Sequence, residues 1–477
     1  MNDIKIKQES YLCTWNLQGR LAHKINQQKE KPKELAFIGD QGALGSRDAI
    51  NEEAIFGKDG WIHYYPEIRK DLYFLIDDGW DVDYNTKPPK DFHKFGSLVV
   101  NEQRFPSFKG TPDEKLKEFV ERVKAAGWKG LGIWLPAQAY GDDWQKPVKD
   151  CEHYWRAMLE RSKYAGVSYW KVDWGTCAYT TENRKAISDL AKEIYPELVI
   201  EHAICMWLIN EKDSDYGRFI NDEAYKRGVE FAKYSDVLRT YDHSQLGISS
   251  TLDRVAGVLP NSNALINCES LAYMAAGLGF SLGIMSPPEI ENGQEALATI
   301  RWHRIAPTFI GGETYQSEEI LYDYFDFTEG STWAPFLIGR RVHQGAPAVI
   351  SRNTKLPEVK SEGEKPFVVA SLNPTGAYSL AELGRLLGKE SSPLADVTCF
   401  PESNPENIGI FGNFSNVTFK LSSKPISVKA QNLVTETTVD ITEKINLDKK
   451  LEISGNILAQ VNGELINKPA IRIILAY

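Results

Sequence analysis

Nowhere in the 477-residue chain is there a run of about 18 apolar residues, the length a membrane-spanning helix needs, so no membrane span is expected. Residues Met1 to Gln8 are polar and charged and lack the apolar segment of a secretory signal. The expected location is cytoplasmic, or periplasmic or secreted if a signal has been trimmed away. Positive charge is also in short supply. The 55 Lys and Arg stand against 65 Asp and Glu, giving a net charge of -10 with the two signs mixed along the chain. Nucleic-acid binding calls for a basic face, so no nucleic-acid partner is expected. Cysteine is sparse. Cys13, Cys151, Cys177, Cys205, Cys268 and Cys399 lie far apart, none forms a CxxC pair, and no His clusters with them. A zinc site is therefore not expected, nor is a cofactor, and reduced thiols are the expected state in a chain this large. Internal repeats and low-complexity tracts are absent too.

What is present fits a globular protein: 42% hydrophobic and 25% charged residues, with 12 Trp. The length suits two or three domains, or one large barrel with an accessory domain. Up to about residue 340, strand and helix signals alternate. Candidate strands are 11–15, 72–76, 130–135, 168–172, 198–200, 237–240 and 264–267, with an eighth at either 280–285 or 307–311. The clearest helix is 113–126, with Leu116, Phe119, Val120 and Val123 on one face and Gly127 at its end. Others are expected at 153–164, 181–194, 225–233, 250–258 and 294–305. Eight such units predict a (β/α)8 TIM barrel. The stretches 39–60 and 86–111 read as long loops. Beyond about residue 345, short β-rich segments separated by polar turns predict a C-terminal antiparallel β-sandwich domain. Among these segments are 367–372, 417–421, 426–428, 451–453, 457–461 and 471–475, and 379–387 reads as one short helix. The expected domains are a catalytic barrel over 1–345 and the sandwich over 346–477.

The chemistry gathers around Tyr169-Trp170-Lys171-Val172-Asp173-Trp174, a short strand ending in a carboxylate. Lys171 and Asp173 lie two residues apart and so on the same side of the strand. A cation there is expected to lower the pKa of Asp173 and keep it ionised, as a carboxylate nucleophile requires. Acids follow three other candidate strands as well: Asp77 and Asp78, Glu201, and Asp242. An Asp at such a junction is often only a helix cap. Acids at four strand ends that converge on one pocket point instead to a shared task, since like charges repel in a cavity. Paired carboxylates with no metal or phosphate motif point to glycoside hydrolysis, in which one acid attacks the anomeric carbon or activates water and the other protonates the leaving oxygen. Trp15, Trp80, Trp134, Trp170 and Trp207 lie near strand ends, where they would stack on sugar rings or pack in the core.

Specific stretches resemble a known group. Leu75-Ile76-Asp77-Asp78-Gly79-Trp80 is similar to the DDGW signature of clan D glycoside hydrolases, the α-galactosidase and α-N-acetylgalactosaminidase families (family 27/36 type). Phe105-Pro106, then Gly127 to Trp134, resembles a further passage of that clan, and Trp170-Lys171-Val172-Asp173 resembles its nucleophile strand. Glu201 with Met206-Trp207 resembles a sugar-contacting passage, and Arg239 with Asp242 resembles the pair that carries the acid/base. The order holds over about residues 10–345. The resemblance implies a retaining exo-glycosidase with Asp173 as nucleophile and Asp242 as general acid/base. Asp77 and Asp78 would accept hydrogen bonds from O4 and O6 of a galactose-like ring, Lys171, Glu201 and Arg239 would hold other hydroxyls, and Trp15 and Trp134 would line the pocket. The substrate would be a carbohydrate bearing terminal α-galactose or a related sugar such as a β-L-arabinopyranoside. The clan's frequent disulfide near the nucleophile would involve Cys177, for which the sequence names no partner. Arg239 and Asp242 are closer together than in the clan, and Asn267-Cys268-Glu269-Ser270 replaces its WNDPD-like passage. These departures keep open a non-catalytic galactoside-binding protein, and the sequence is silent on oligomeric state.

Overall fold

The computed structural model describes residues 9–26, 43–178, 180–203, 233–237, 271–285, 287–289, 293–309, 319–326, 341–348, 351–363, 365–383, 386–387, 390–391, 394–445, 447–464 and 468–477. Six parallel strands form its first sheet: β1 (Ser10–Cys13), β2 (Leu72–Ile76), β3 (Gly130–Leu135), β4 (Tyr169–Val172), β5 (Val199–His202) and β6 (Gly283–Ile284). Their order is β5-β4-β3-β2-β1-β6. Each strand lies beside its sequence neighbour until the last described strand pairs with the first, Tyr11 against Gly283 and Leu12 against Ile284. A chain that winds once around and returns to its starting strand is a (β/α) barrel. β6 lies within the 280–285 alternative, while 307–309 form no strand. The expected strand at 264–267 and helix at 250–258 lie outside the described residues, as do all but Val237 of the strand at 237–240 and all but Lys233 of the helix at 225–233.

Side-chain alternation divides these strands between two cores. Tyr11, Cys13, Tyr73, Leu75, Tyr169 and Val199 point inward and join Val237 and Met285 inside the barrel. Leu12, Phe74, Ile76, Leu131, Ile133, Trp170, Val172 and Ile200 point outward beneath the helices. With both faces covered, all five residues of β2 are buried, which explains its unbroken apolar run. The helix Pro112–Ala125 starts with a capping box between Thr111 and Glu114 and buries Leu116, Phe119, Val120 and Val123 as its periodicity predicts.

The segment 39–60 is not one loop. It contains the helices Ala43–Ala49 and Glu52–Phe56, the second capped by Asn51, whose side chain accepts from Ala54 N at 2.9 Å. A buried pair holds the first in place: Arg104 Nη2 donates to Asp48 Oδ1 at 3.0 Å and Arg104 Nη1 to the Arg47 carbonyl at 2.9 Å. Arg47 and Asp48, in the stretch read as a loop, are buried and paired here.

The C-terminal region is a β-sandwich of a seven-stranded and a four-stranded sheet. Val368, Ala370, Leu380, Ile408, Ile410, Ile471 and Ile473 of the larger sheet meet Val397, Val417, Phe419, Leu451 and Ile453 of the smaller. Most pairings are antiparallel; Tyr378–Leu383 with Asn407–Phe411, Ala395–Cys399 with Phe414–Lys420 and Ser351–Arg352 with Phe367–Leu372 are parallel. Two expectations are corrected. The helix expected over 379–387 is, as far as Leu383, the strand Tyr378–Leu383, because pairing on both sides overrides the helix preference of its Ala, Leu and Glu. The strand expected at 457–461 lies in the helix Gly455–Asn462, started by Ser454, whose hydroxyl accepts from Ile457 N at 3.4 Å. A separate hairpin pairs Glu319–Asp326 with Arg341–Ala348.

The other face of the seven-stranded sheet packs on the barrel. Val369, Ala381, Phe411 and Ala470 join the barrel's outer core with Tyr273 and Trp302 from the helices Leu271–Leu278 and Gly293–His303. Trp302 Nε1 donates to Ser379 Oγ at 2.8 Å, Ser371 Oγ to the Gly277 carbonyl at 2.7 Å, and Tyr273 OH to the Lys468 carbonyl at 2.7 Å. Among the described residues no helix is long and apolar enough to cross a membrane.

Candidate active site

The described acids collect where the parallel strands end. β2 runs directly into Asp77 and Asp78, both buried. Lys171 Nζ donates to Asp77 Oδ2 at 2.8 Å, and Cys13 Sγ reaches the same oxygen at 3.0 Å. The Asp77 amide donates to Thr14 Oγ1 at 2.8 Å, tying this end to β1. Burial, then the neighbouring Asp77 charge, pushes the Cys13 thiol well above its usual range, so it stays protonated and donates.

Asp78 has a cation of its own. Arg47 grips it in a fork, Nε to Oδ1 at 2.9 Å and Nη2 to Oδ2 at 2.7 Å, with both side chains buried. Burial alone would lower the Arg47 pKa, but Asp78, with Asp48 and Asp81, holds it above the usual value. Gly79 makes this approach possible: its φ is +116°, and a Cβ there would collide with the Arg47 carbonyl. The DDG order thus has a steric reason as well as an electrostatic one.

β4 delivers Lys171 and Asp173. Asp173 is half-buried, its Oδ2 accepts from Trp134 Nε1 at 2.9 Å, and Oδ1 accepts no hydrogen bond among the described residues. Lys171 pairs with Asp77 and, as expected, lowers the Asp173 pKa, but burial outweighs it. Burial, then the Asp77 charge, raises the Asp173 pKa; Lys171, the Trp134 indole and Arg184 pull it down, and the net position is above an ordinary Asp. Behind the strand, Arg184 from the helix Thr181–Ile194 donates to the carbonyls of Val172 at 2.6 Å, Asp173 at 2.9 Å and Ala178 at 3.0 Å. It fixes the backbone that presents Asp173. On β5, Glu201 is fully buried and bonded by two phenols, Tyr11 OH to Oε1 at 3.3 Å and Tyr169 OH to Oε2.

Of the expected site residues, Asp77, Asp78, Lys171, Asp173, Glu201 and Trp134 come together at this end. Trp15, half-buried at the start of the helix Trp15–Asn26, packs against the barrel-interior cluster. Arg239, Asp242, Met206, Trp207 and Glu269 lie outside the described residues. Trp80 and Trp170 offer no face to a ligand: both are fully buried, Trp80 Nε1 donating to the Trp134 carbonyl at 2.9 Å and Trp170 Nε1 to Ser162 Oγ at 3.1 Å. Trp134 is also buried and reaches the site through its indole N–H. Reasoning from sequence missed Arg47, Cys13, Tyr11, Tyr169 and Arg184. Alternation was a usable signal for three of them: Tyr11 and Cys13 share a strand face, and Tyr169 lies two before Lys171. Cys13, Cys151, Cys177 and Cys399 are free thiols, and Cys177 and Cys151 share the Lys146 carbonyl as acceptor, at 3.2 and 3.7 Å. No group of three or more His, Cys, Asp or Glu that could hold a metal occurs among the described residues.

No family model and no curated protein matches the chain. Solved structures do overlap with it. α-Galactosidase I from Mortierella vinacea shares 10% identity over 100% of both chains at a TM-score of 0.32. A GH27 β-L-arabinopyranosidase from Geobacillus stearothermophilus, in complex with arabinose, shares 11% identity over 99% of this chain and 97% of its own, at 0.36. An α-galactosidase-like protein from Bacteroides fragilis, so described, shares 11% over 98% of this chain and 79% of its own, at 0.35. These loose, low-identity overlaps assign no activity to this chain.

Proposed function

We propose that the protein is a retaining exo-glycosidase that removes a terminal α-linked galactose or a stereochemically related sugar such as β-L-arabinopyranose. The observation that carries this reading is the unequal treatment of the acids. Asp77, Asp78 and Glu201 are buried and each is held by dedicated partners, which suits them to receive sugar hydroxyls. Asp173 is half-open and, among the described residues, is held by one N–H and has an oxygen to spare. That is the state of a nucleophile positioned but not neutralised. In the reaction, Asp173 Oδ1 attacks C1 while the C1–O bond breaks and the leaving oxygen takes a proton from Asp242. Water then gives a proton to Asp242 and attacks C1, releasing the sugar and Asp173 with net retention. The role of Asp242 rests on the sequence resemblance.

The test is hydrolysis of p-nitrophenyl α-D-galactopyranoside and p-nitrophenyl β-L-arabinopyranoside by the wild-type protein and by Asp173→Ala. Turnover of at least one substrate by the wild type, lost at least 1,000-fold in the variant on the order expected for a triad-like nucleophile, supports the reading. Full turnover by the variant would remove Asp173 from its role. Proton NMR of the first-formed anomer separates retention from inversion. Saturable galactose binding by calorimetry with no hydrolysis of either glycoside would favour the binding-protein alternative.

A further inference from the structure

Outside the buried polar set lies a chain of aromatic rings that the proposed reaction does not use. Trp174, immediately after Asp173, has its ring centroid 5.3 Å from that of Trp134 and 5.8 Å from that of Phe92. Phe92 stacks on Trp144 at 5.4 Å with only 18° between the planes. Phe95 closes the inner side, edge-on to Trp174 at 5.0 Å, with the Arg47 guanidinium 4.9 Å above its ring. Trp174, Phe92 and Trp144 are each half-buried, whereas Trp134 and Phe95 are covered. The rings therefore lead from the catalytic carboxylate toward solvent.

The rings come from three different loops, after β2, β3 and β4, and one buried side chain locks those loops together. Gln138 Nε2 donates to the Phe92 carbonyl at 2.6 Å, and Gln138 Oε1 accepts from Thr176 N at 3.3 Å. Thr176 Oγ1 in turn donates to the Trp144 carbonyl. Gly175, at φ +152°, lets the third loop lie against Ala137, whose backbone a Cβ would strike at 2.7 Å. Loops that only cover a barrel end need no such tie; a preformed binding surface does, because holding its rings in place beforehand lowers the ordering cost of binding.

We infer that Trp174, Phe92 and Trp144 form a leaving-group platform that takes a second pyranose ring, the sugar on the far side of the scissile bond. The inference rests on the glycosidase reading and adds to it the residues that would hold the leaving-group sugar. Depth assigns the two sides. The buried acids and cations suit the hydroxyl-rich sugar that is removed, and the shallower rings suit the apolar C–H face of the sugar that remains outside.

The test compares α-D-galactopyranosyl fluoride, which has no leaving-group ring, with melibiose, which has one. In Trp144→Ala, kcat/KM for melibiose is expected to fall about tenfold, the order expected for a lost aromatic stack, while the value for the fluoride stays within about twofold. Phe92→Leu, which keeps apolar volume but not the ring, is expected to show the same split and guards against a folding defect in the first variant. Equal losses on both substrates, or no loss on melibiose, overturn the platform and leave the proposed function standing. A wild type that refuses melibiose, whether or not it takes the fluoride, also overturns the platform; the proposed function falls only if both p-nitrophenyl glycosides are refused as well.

Discussion

Lys171 stands between two acids, and removing either end of its pair with Asp77 has opposite consequences for Asp173. The pair is 2.8 Å long with both side chains nearly inaccessible. At an effective dielectric of about 20, that separation is worth about 6 kcal/mol of attraction, set against the cost of burying both charges. Removing one partner leaves the other buried and uncompensated, so Lys171→Met and Asp77→Asn are each expected to lose about 3–5 kcal/mol of stability in urea unfolding. The double variant, with no charge left in the pair, is expected to recover most of that loss. The effects on Asp173 diverge. Asp77→Asn removes a charge that raises the Asp173 pKa and frees Lys171 to serve it, so the acid limb of log kcat/KM moves to lower pH. Lys171→Met removes a cation that lowers that pKa, so the limb moves to higher pH. The limb is read on whichever p-nitrophenyl glycoside the wild type accepts. Shifts in the same direction, or single-variant losses under about 1 kcal/mol, would refute the assignment of Lys171 to Asp77.

Two further outcomes are expected from the same geometry. Trp134→Phe keeps an aromatic ring but removes the N–H that Asp173 Oδ2 accepts at 2.9 Å. A hydrogen bond to a charged group contributes about 1.5–3 kcal/mol, so kcat/KM should fall roughly 10- to 100-fold and the acid limb should move up; an unchanged profile would count against a positioning role for Trp134. Asp81, buried, accepts from Leu98 N at 3.1 Å and Ser97 Oγ at 3.3 Å on one oxygen, while the other has no partner among the described residues. Burial raises its pKa from 3.8 to about 7. The folded state then keeps a proton that the unfolded chain releases between those values, so the stabilisation is present at low pH and is lost as pH rises through about 4 to 7, by ~4 kcal/mol at most. Asp81→Asn should flatten that part of the urea-midpoint profile between pH 4 and pH 8, and an unaltered slope would refute the shift.

The parts of this architecture legible in the sequence are those where pattern and chemistry are local. β2 shows as an apolar run because both its faces are covered, and its acids follow directly. The capping box at Thr111 and the periodicity behind it mark their helix closely. What escaped depends on distant contacts. Arg47 sits in a Gly- and charge-rich stretch, and nothing local shows that Arg104 and Asp48 bury it or that Asp78, 31 positions on, will receive it. The strand Tyr378–Leu383 carries good helix formers and becomes a strand only because partners lie on both sides. The Lys171–Asp173 spacing placed both near the end of β4, but proximity in sequence could not say that the lysine reaches across to Asp77 after β2.

The site's logic lies in how it shares out its positive charge. Four acids at the end of one barrel would repel each other if all were left to water and one another. Arg47 is spent on Asp78 in a two-pronged bond, Lys171 on Asp77 with a protonated thiol beside it, and Glu201 receives two phenols. Each arrangement stabilises a carboxylate in a fixed orientation, which suits recognition of hydroxyls more than attack. Asp173 alone has neither a forked cation nor a pair of hydroxyls, and it is the one described acid of the set left partly open. Groups whose surroundings differ this much take different parts in a reaction. In the proposed reaction it is that asymmetry, more than the number of acids, that singles out Asp173 as the reacting group and the others as its setting.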